Sequence, residues 1–366
     1  MGTRWRFVDA GPQSPFEAMG RMPVLGTRVS EGGDPVLMTA VWGSTHVNVG
    51  WFDDIDATLD LEACRRLGIE VVRRPVFGGG TAFYEEGCAA MQSFMLSRDA
   101  HPDLDAELTR FQPVFHDALD RLGLGDVQFE GSSDLRWHGR KIGALVAQDA
   151  MTCNVVGSFL NLSRPDVELY LQVARIPDEK FKDKVVKDMR EYIVTADEIA
   201  GRPVTYDEFR DAVVAAVTAT GDELYPQPLN EEELAGIAGI AGMIAAPDMI
   251  ERVSSRRFRE AAPAGTRVGF GNEKGRKLCR AGVALDDSGA IVAAMMAGDM
   301  HVAPPDTMDR VASELVGASA DDHDELRLRV ARVFEAPDVH QPDALMGVTT
   351  DDLLAALTKA VAAAGR

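Results

Sequence analysis

Two short stretches hold the residues whose types and spacing can do chemistry. Residues 70–88 read EVVRRPVFGGGTAFYEEGC, with an arginine pair (Arg73, Arg74), three consecutive glycines (Gly78, Gly79, Gly80), then Thr81, Phe83 and Tyr84. A glycine triplet lets a backbone approach a ligand closely and take dihedrals that a Cβ forbids. On its own such a triplet is more often a flexible hairpin turn. The arginines just upstream turn the reading toward an anion-holding loop, because the guanidinium fork matches phosphate and carboxylate oxygens. Residues 132–148, SSDLRWHGRKIGALVAQ, form the second stretch and set Arg140 and Lys141 on a polar turn between strand-like runs. A turn lysine is ordinarily solvated; a glycine loop upstream gives this one a possible ligand. Arg140 is open between a second contact and plain surface.

The elements that must position these residues can be traced from the pattern. Residues 35–52 alternate as two strands around Gly43 and Ser44. A lone strand histidine there, His46, is assigned to packing or surface. Residues 60–68 read as a helix with an acidic start and a glycine stop, leading into the strand before the glycine loop. Strand, helix, strand is an α/β layout. Residues 87–95 suit another strand. Over 103–122, Leu104, Leu108, Phe111, Phe115, Leu119 and Leu122 recur at helical spacing, with Pro113 as an expected kink and His116 as a satisfied or exposed residue. Residues 154–162 read as a buried strand through Gly157, and 15–29 as a short helical piece with a turn. Thr205 and Glu208 form a capping box for a helix over 205–219.

The run GIEVVRRPVFGGGTAFYEEG resembles the arginine–glycine motif of the lipoate–protein ligase family, and SSDLRWHGRKIGALVAQ is similar to that family's lysine motif. The two stand in the family's order, about sixty residues apart, and the likeness extends over most of the chain. The resemblance implies a mixed-sheet α/β (α+β) catalytic domain over 1–250 and a smaller α/β accessory domain over 262–366. It implies an ATP- and Mg²⁺-dependent ligase that activates lipoate, octanoate or a related small carboxylic acid as its adenylate. The acyl group then passes to a lysine of an acceptor carrier such as a lipoyl domain. Lys141 takes the catalytic role, a cation for the acyl carbonyl and phosphate oxygens. Arg73, Arg74, Gly78, Gly79, Gly80, Thr81, Tyr84 and Arg140 become ligand residues.

Residues 175–190, RIPDEKFKDKVVKDMR, carry six basic and four acidic residues in a chain of net charge −20. By itself this is a solvated helix face. The resemblance makes it a loop closing over the adenylate, with Lys182 and Lys184 as candidates. The sequence departs from the family pattern at Phe77, where Ser or Thr is usual, at Tyr84, where His is usual, and at Val156. Relatives that transfer octanoyl groups use a cysteine placed before the lysine turn, whereas Cys153 follows it and reads as a packed thiol. The ligase-type accessory domain favours ligase over transferase. An acyltransferase acting from an acyl carrier, or a non-catalytic carrier-binding protein of this fold, are the alternatives.

Composition bounds the rest. With 366 residues, 46% hydrophobic and 26% charged, the chain can bury more than one core. Four scattered cysteines suit reduced thiols in a cytoplasm. No apolar run of membrane-spanning length and no signal-peptide core occurs, so neither a membrane nor a secretory route is expected. The acidic balance argues against general nucleic-acid binding.

Overall fold

The computed structural model describes residues 2–75, 80–131, 133–150, 152–175, 191–341 and 347–365. Gly78, Gly79, Lys182 and Lys184 lie outside them, as does nearly all of the basic segment.

Among the described residues an eight-stranded mixed sheet forms the main layer. Its strands are β1 (Arg4–Gln13), β2 (Val36–Trp42), β6 (Ala89–Leu96), β7 (Gln128–Glu130), β8 (Asp134–Trp137), β9 (Arg140–Asp149), β10 (Asn154–Asn161) and β11 (Glu223–Pro226), in the order β11-β1-β2-β6-β10-β9-β8-β7. Only the β11–β1 and β1–β2 pairs are parallel. A three-stranded sheet, β4-β3-β5, brings together β3 (His46–Val49), β4 (Glu70–Arg73) and β5 (Ala82–Tyr84). It carries both sides of the glycine loop.

Side chains alternate across each strand, so the main sheet has two distinct faces. One buries Trp5, Leu37, Phe94, Ile142, Val156 and Leu160 against Phe111, Phe115 and Phe209 of the helices Leu104–Arg121 and Tyr206–Ala219. Both helices are signalled locally: Asp103 caps the first, and the Thr205/Glu208 capping box opens the second. Pro113 sits inside the first helix, which runs on through it.

The opposite face is covered at one end by the helix Pro15–Ser30, which packs with Met95, Cys153 and Val155. This helix is longer than the pattern 15–29 indicated, because its glycines mark close approaches rather than a turn. A Cβ on Gly20 would meet the Ile237 carbonyl at 2.9 Å, and one on Gly26 would meet the Cys153 sulfur at 2.6 Å.

A second core gathers residues from Cys279 to Ala364 around the antiparallel sheet β12 (Arg267–Lys274), β13 (Leu278–Leu285) and β14 (Ile291–Gly298). Phe52, from the loop after β3, is buried within it. The Trp51 indole donates to the Pro305 carbonyl at 2.8 Å, and the Gly298 N–H donates to the Phe52 carbonyl at 2.9 Å. No helix among the described residues is long and apolar enough to cross a membrane.

Candidate active site

Lys141 opens β9 just after a tight turn in which His138 (φ 48°) and Gly139 (φ 78°) both take left-handed backbone. Two such residues make the primed turn whose twist matches paired strands, so the lysine starts from a rigid hairpin. Its ammonium donates to Asp134 Oδ1 at 2.6 Å and lies 5.9 Å from the centre of the Phe159 ring. Both members of the ion pair are about one-quarter exposed. Phe159 pairs in register with Met91, and Met91 with Ala40. On this face Met91, Gly157, Phe159 and Asn161 stay half-exposed, while their neighbours on the other face are buried. The result is a partly exposed, mainly apolar strip of the sheet face, a shallow trough beside Lys141 that crosses β10 and β6.

Arg140 points to the other side of the strand. Its guanidinium donates to the Ile193 carbonyl at 2.6 Å and to Glu198 at 3.1 Å, and Arg164 shares Glu198. The geometry ties Arg140 to the segment after the basic run rather than to the trough.

The arginine pair divides its labour. Arg73 is fully buried. Its guanidinium donates to the carbonyls of Gly50 at 2.7 Å, Trp51 at 3.1 Å, Asp53 at 2.8 Å, Ile250 at 2.9 and 3.0 Å, and Val253 at 3.4 Å. Those bonds occupy its donors, so Arg73, expected at the ligand, instead pins the loop after β3 to residues 250–253. Burial pulls its pKa down to about 10. Arg74 is half-buried and holds the end of the glycine loop, donating to the Gly80 carbonyl at 2.7 Å and to the Asn48 carbonyl at 3.1 Å. Thr81 donates to Asp53 Oδ2 at 2.8 Å. Burial raises the Asp53 carboxyl above its ordinary value, opposed by the Thr81 bond and reinforced by Asp299.

The C-terminal unit reaches this loop. The Asp299 carboxyl would sit 3.6 Å from a Cβ on Gly80, and Lys277 lies 3.9 Å from Asp299. Burial, with Lys277 next, lowers the His301 pKa. Asp53, Lys277, Asp299 and His301 were not singled out from sequence, because their proximity depends on how residues 52 and 298 meet. His46 was assigned to packing or surface, and it is wholly buried, beside Trp42 and Tyr84 with ring centroids 4.5 and 5.4 Å away. Tyr84 therefore stands in the wall between the glycine loop and β2.

All four thiols are buried, and burial pushes Cys64, Cys88 and Cys153 up to about 11 and Cys279 to about 12. Cys153 lies past the far end of β9, where Asp149 pairs with Asn154. At about 3.3 Å per residue it is about 26 Å from Lys141. Cys88 is at the lysine end, its carbonyl accepting from the Leu162 N–H at 2.8 Å, but it is 3% exposed. Among the described residues no group of three or more His, Cys, Asp or Glu is placed to hold a metal ion.

Comparison with known proteins bears on this geometry. Residues 14–218 match the profile of the lipoyl protein ligase A/B catalytic domain. Octanoyltransferase LipM of Geobacillus kaustophilus is 26% identical over 268 residues, 65% of this chain and 94% of that protein. Octanoyltransferase LipM of Bacillus subtilis is 25% identical over 260 residues, 63% of this chain and 91% of that one. The bipartite lipoate protein ligase of Thermoplasma acidophilum has the same fold over 69% of this chain and 97% of its own, with a TM-score of 0.58 at 20% identity. LipL1 of P. falciparum, solved in complex with lipoate, matches 94% of this chain and 97% of its own with a TM-score of 0.66 at 10% identity. That last likeness extends through the C-terminal unit.

Proposed function

The chain belongs to the lipoyl protein ligase A/B catalytic-domain family, and on that premise we propose that it is an ATP-dependent ligase. It activates a small carboxylic acid of the lipoate or octanoate kind and transfers the acyl group to a lysine of a carrier protein such as a lipoyl domain. The acid's carboxylate attacks the α-phosphorus of ATP and pyrophosphate leaves. The acceptor lysine's free amine then attacks the acyl carbonyl, AMP departs, and the amine loses a proton as the amide forms. Lys141, at the head of the trough, holds the carbonyl and phosphate oxygens as charge builds on them. Arg74, Thr81, Tyr84 and Gly80 are proposed to face the acid, with Gly78 and Gly79 as further ligand residues, and Lys182 and Lys184 are proposed to close over the adenylate. Mg²⁺, which would neutralise phosphate charge, is proposed to travel on the nucleotide. On this reading the enzyme works in the cytoplasm.

The observation that carries ligase over transferase is the state of the thiols. A covalent acyl carrier needs an accessible, ionisable sulfur, and the four here are buried with raised pKa values. The transferase reading rests on the LipM relatives and on Cys88, which stands two strand spacings from Lys141, about 10 Å away. ATP–pyrophosphate exchange that depends on added acid supports the ligase. Transfer of octanoyl from an acyl carrier without ATP, blocked by a thiol reagent, supports the alternative.

A further inference from the structure

Lys141 is held from behind. Its ammonium donates to Asp134 Oδ1 at 2.6 Å, and the other oxygen of that carboxylate, Oδ2, accepts from Arg136 Nη2 at 2.9 Å. The same Nη2 donates to the Tyr192 hydroxyl at 2.8 Å, and the guanidinium lies 4.9 Å from the centre of the Tyr192 ring. Arg136 Nη1 donates to the Gly139 carbonyl at 2.9 Å, in the turn that presents the lysine, and Glu130 pairs with Nε at 3.1 Å. The Arg136 side chain is thereby 18% exposed, on a hairpin edge open to solvent. Main chain fixes the Tyr192 segment at the same place. The Val194 N–H donates to the Lys141 carbonyl at 3.0 Å, and Ile193 bridges to Lys141.

A hairpin turn does not call for this arrangement. Arg136 and Lys141 pair directly across β8 and β9, where the register shifts between Leu135 and Arg136. Like charges directly opposite on paired strands are destabilising, and a merely solvated lysine would turn its head away into water. Both cations are instead drawn to the one carboxylate. Because Asp134 is shared, it does not cancel Lys141 alone, and the ammonium keeps a net pull on oxygens that gain charge. Holding Asp134 by Oδ2 also fixes the direction in which Oδ1 points. The long, flexible lysine side chain therefore loses its freedom before any ligand arrives.

We propose that Arg136 and Tyr192 are positioning residues for Lys141: Tyr192 holds the guanidinium, Arg136 holds Asp134, and Asp134 aims the ammonium. The inference deepens the ligase reading and rests on it for the role of Lys141. Both residues act through Asp134 rather than on the substrates, so their loss falls on kcat and leaves the KM values for ATP and acid nearly unchanged. A misplacement of about 1 Å at a reacting group can cost about 100-fold. A lysine that is present but loosely held should therefore lose about 10–100-fold. Removing the Tyr192 hydroxyl takes away one hydrogen bond from the far end of the chain of contacts, a loss of about 2–10-fold.

The test follows Arg136→Gln, Arg136→Lys and Tyr192→Phe in the full-length protein by two readouts. One is acid-dependent ATP–pyrophosphate exchange. The other needs no activity: the proton–nitrogen NMR signal of the Lys141 ammonium, visible while an ion pair slows proton exchange with water and assigned by its disappearance in Lys141→Ala. The inference predicts the signal in the wild-type protein, its loss in Arg136→Gln with kcat down by about 10–100-fold, and its weakening in Tyr192→Phe. Arg136→Lys, which keeps a charge for Oδ2, should restore the signal and part of the rate. An unchanged signal and kcat in Arg136→Gln, a rise in KM in place of the fall in kcat, or no signal in the wild-type protein overturns the inference and leaves the ligase reading intact. A signal that depends on Arg136, with no exchange by the wild-type protein on any acid, overturns the ligase reading and leaves the positioning of Lys141 standing. Tyr192→Phe decides the matter if Arg136→Gln fails to fold.

Discussion

Replacing Arg73 with methionine separates a structural arginine from a ligand-binding one. The substitution keeps most of the buried stem and removes the guanidinium, so the carbonyls of Gly50, Trp51, Asp53, Ile250 and Val253 lose a charged donor together. Hydrogen bonds to a charged group are worth about 1.5–3 kcal/mol each, but they do not add. The fold relaxes, and the variant is spared the desolvation that draws the Arg73 pKa down to about 10. The net loss expected for breaking such a buried array is about 3–5 kcal/mol. At roughly 2 °C per kcal/mol for a chain of this size, Tm should fall by about 6–10 °C. Phe52 sits in the C-terminal core within the pinned segment, so limited proteolysis should also cut more readily between the two units. Thermal denaturation followed by circular dichroism, with proteolysis alongside, reads both effects. A variant within about 2 °C of wild type that has lost acid binding would place the guanidinium at the ligand and refute the structural role.

Three further outcomes follow from the same geometry. Lys141→Ala should lower ATP–pyrophosphate exchange by at least about 10²–10³-fold while stability changes by about 0–1 kcal/mol, because its ion pair with Asp134 is partly exposed; near-normal exchange would make it an ordinary turn lysine. A charged thiol reagent at neutral pH should leave the native protein unmodified and active, since every thiol is buried, and inactivation through Cys88 would point to a thioester route. Arg6 grips Glu233 through two bonds, at 2.6 and 2.8 Å, and their hydrogen bond is the first cause of the depressed Glu233 pKa. The pair therefore stabilises the fold fully above the ordinary glutamate value, and the contribution is lost as pH falls through the depressed one. Glu233→Gln should lower stability at neutral pH by about 3 kcal/mol and narrow the gap to wild type in urea melts as the pH drops below about 4; a pH-independent gap would contradict the linkage.

Much of the fold was legible because it is locally encoded. The Thr205/Glu208 capping box, the Gly68 stop at φ 69° and the hairpin presenting Lys141 were all visible in short windows of sequence. Features that depend on distant partners were not. Strand β1 is tied at its start to residues 222–223, with the Thr3 N–H donating to Asp222 at 2.7 Å and the Glu223 N–H donating to the Thr3 carbonyl at 2.9 Å; neither end announces the other. The helix Pro15–Ser30 was shortened by its glycines and Pro23, whose tolerance comes from packing against Ile237 and Cys153. Arg73 and Arg74 are adjacent and chemically alike, and only tertiary structure assigns one to main-chain carbonyls and the other to the glycine loop. His46 read as a packing or surface residue, and only the folded corner decides for packing, wholly buried beside Trp42 and Tyr84.

The most direct test of the central claim is ATP–pyrophosphate exchange by the wild-type protein, with and without lipoate and octanoate, in the absence of any carrier. The ligase account predicts exchange that requires an added acid and is lost in Lys141→Ala. No exchange with any of these acids, together with ATP-independent octanoyl transfer from an acyl carrier, would contradict it.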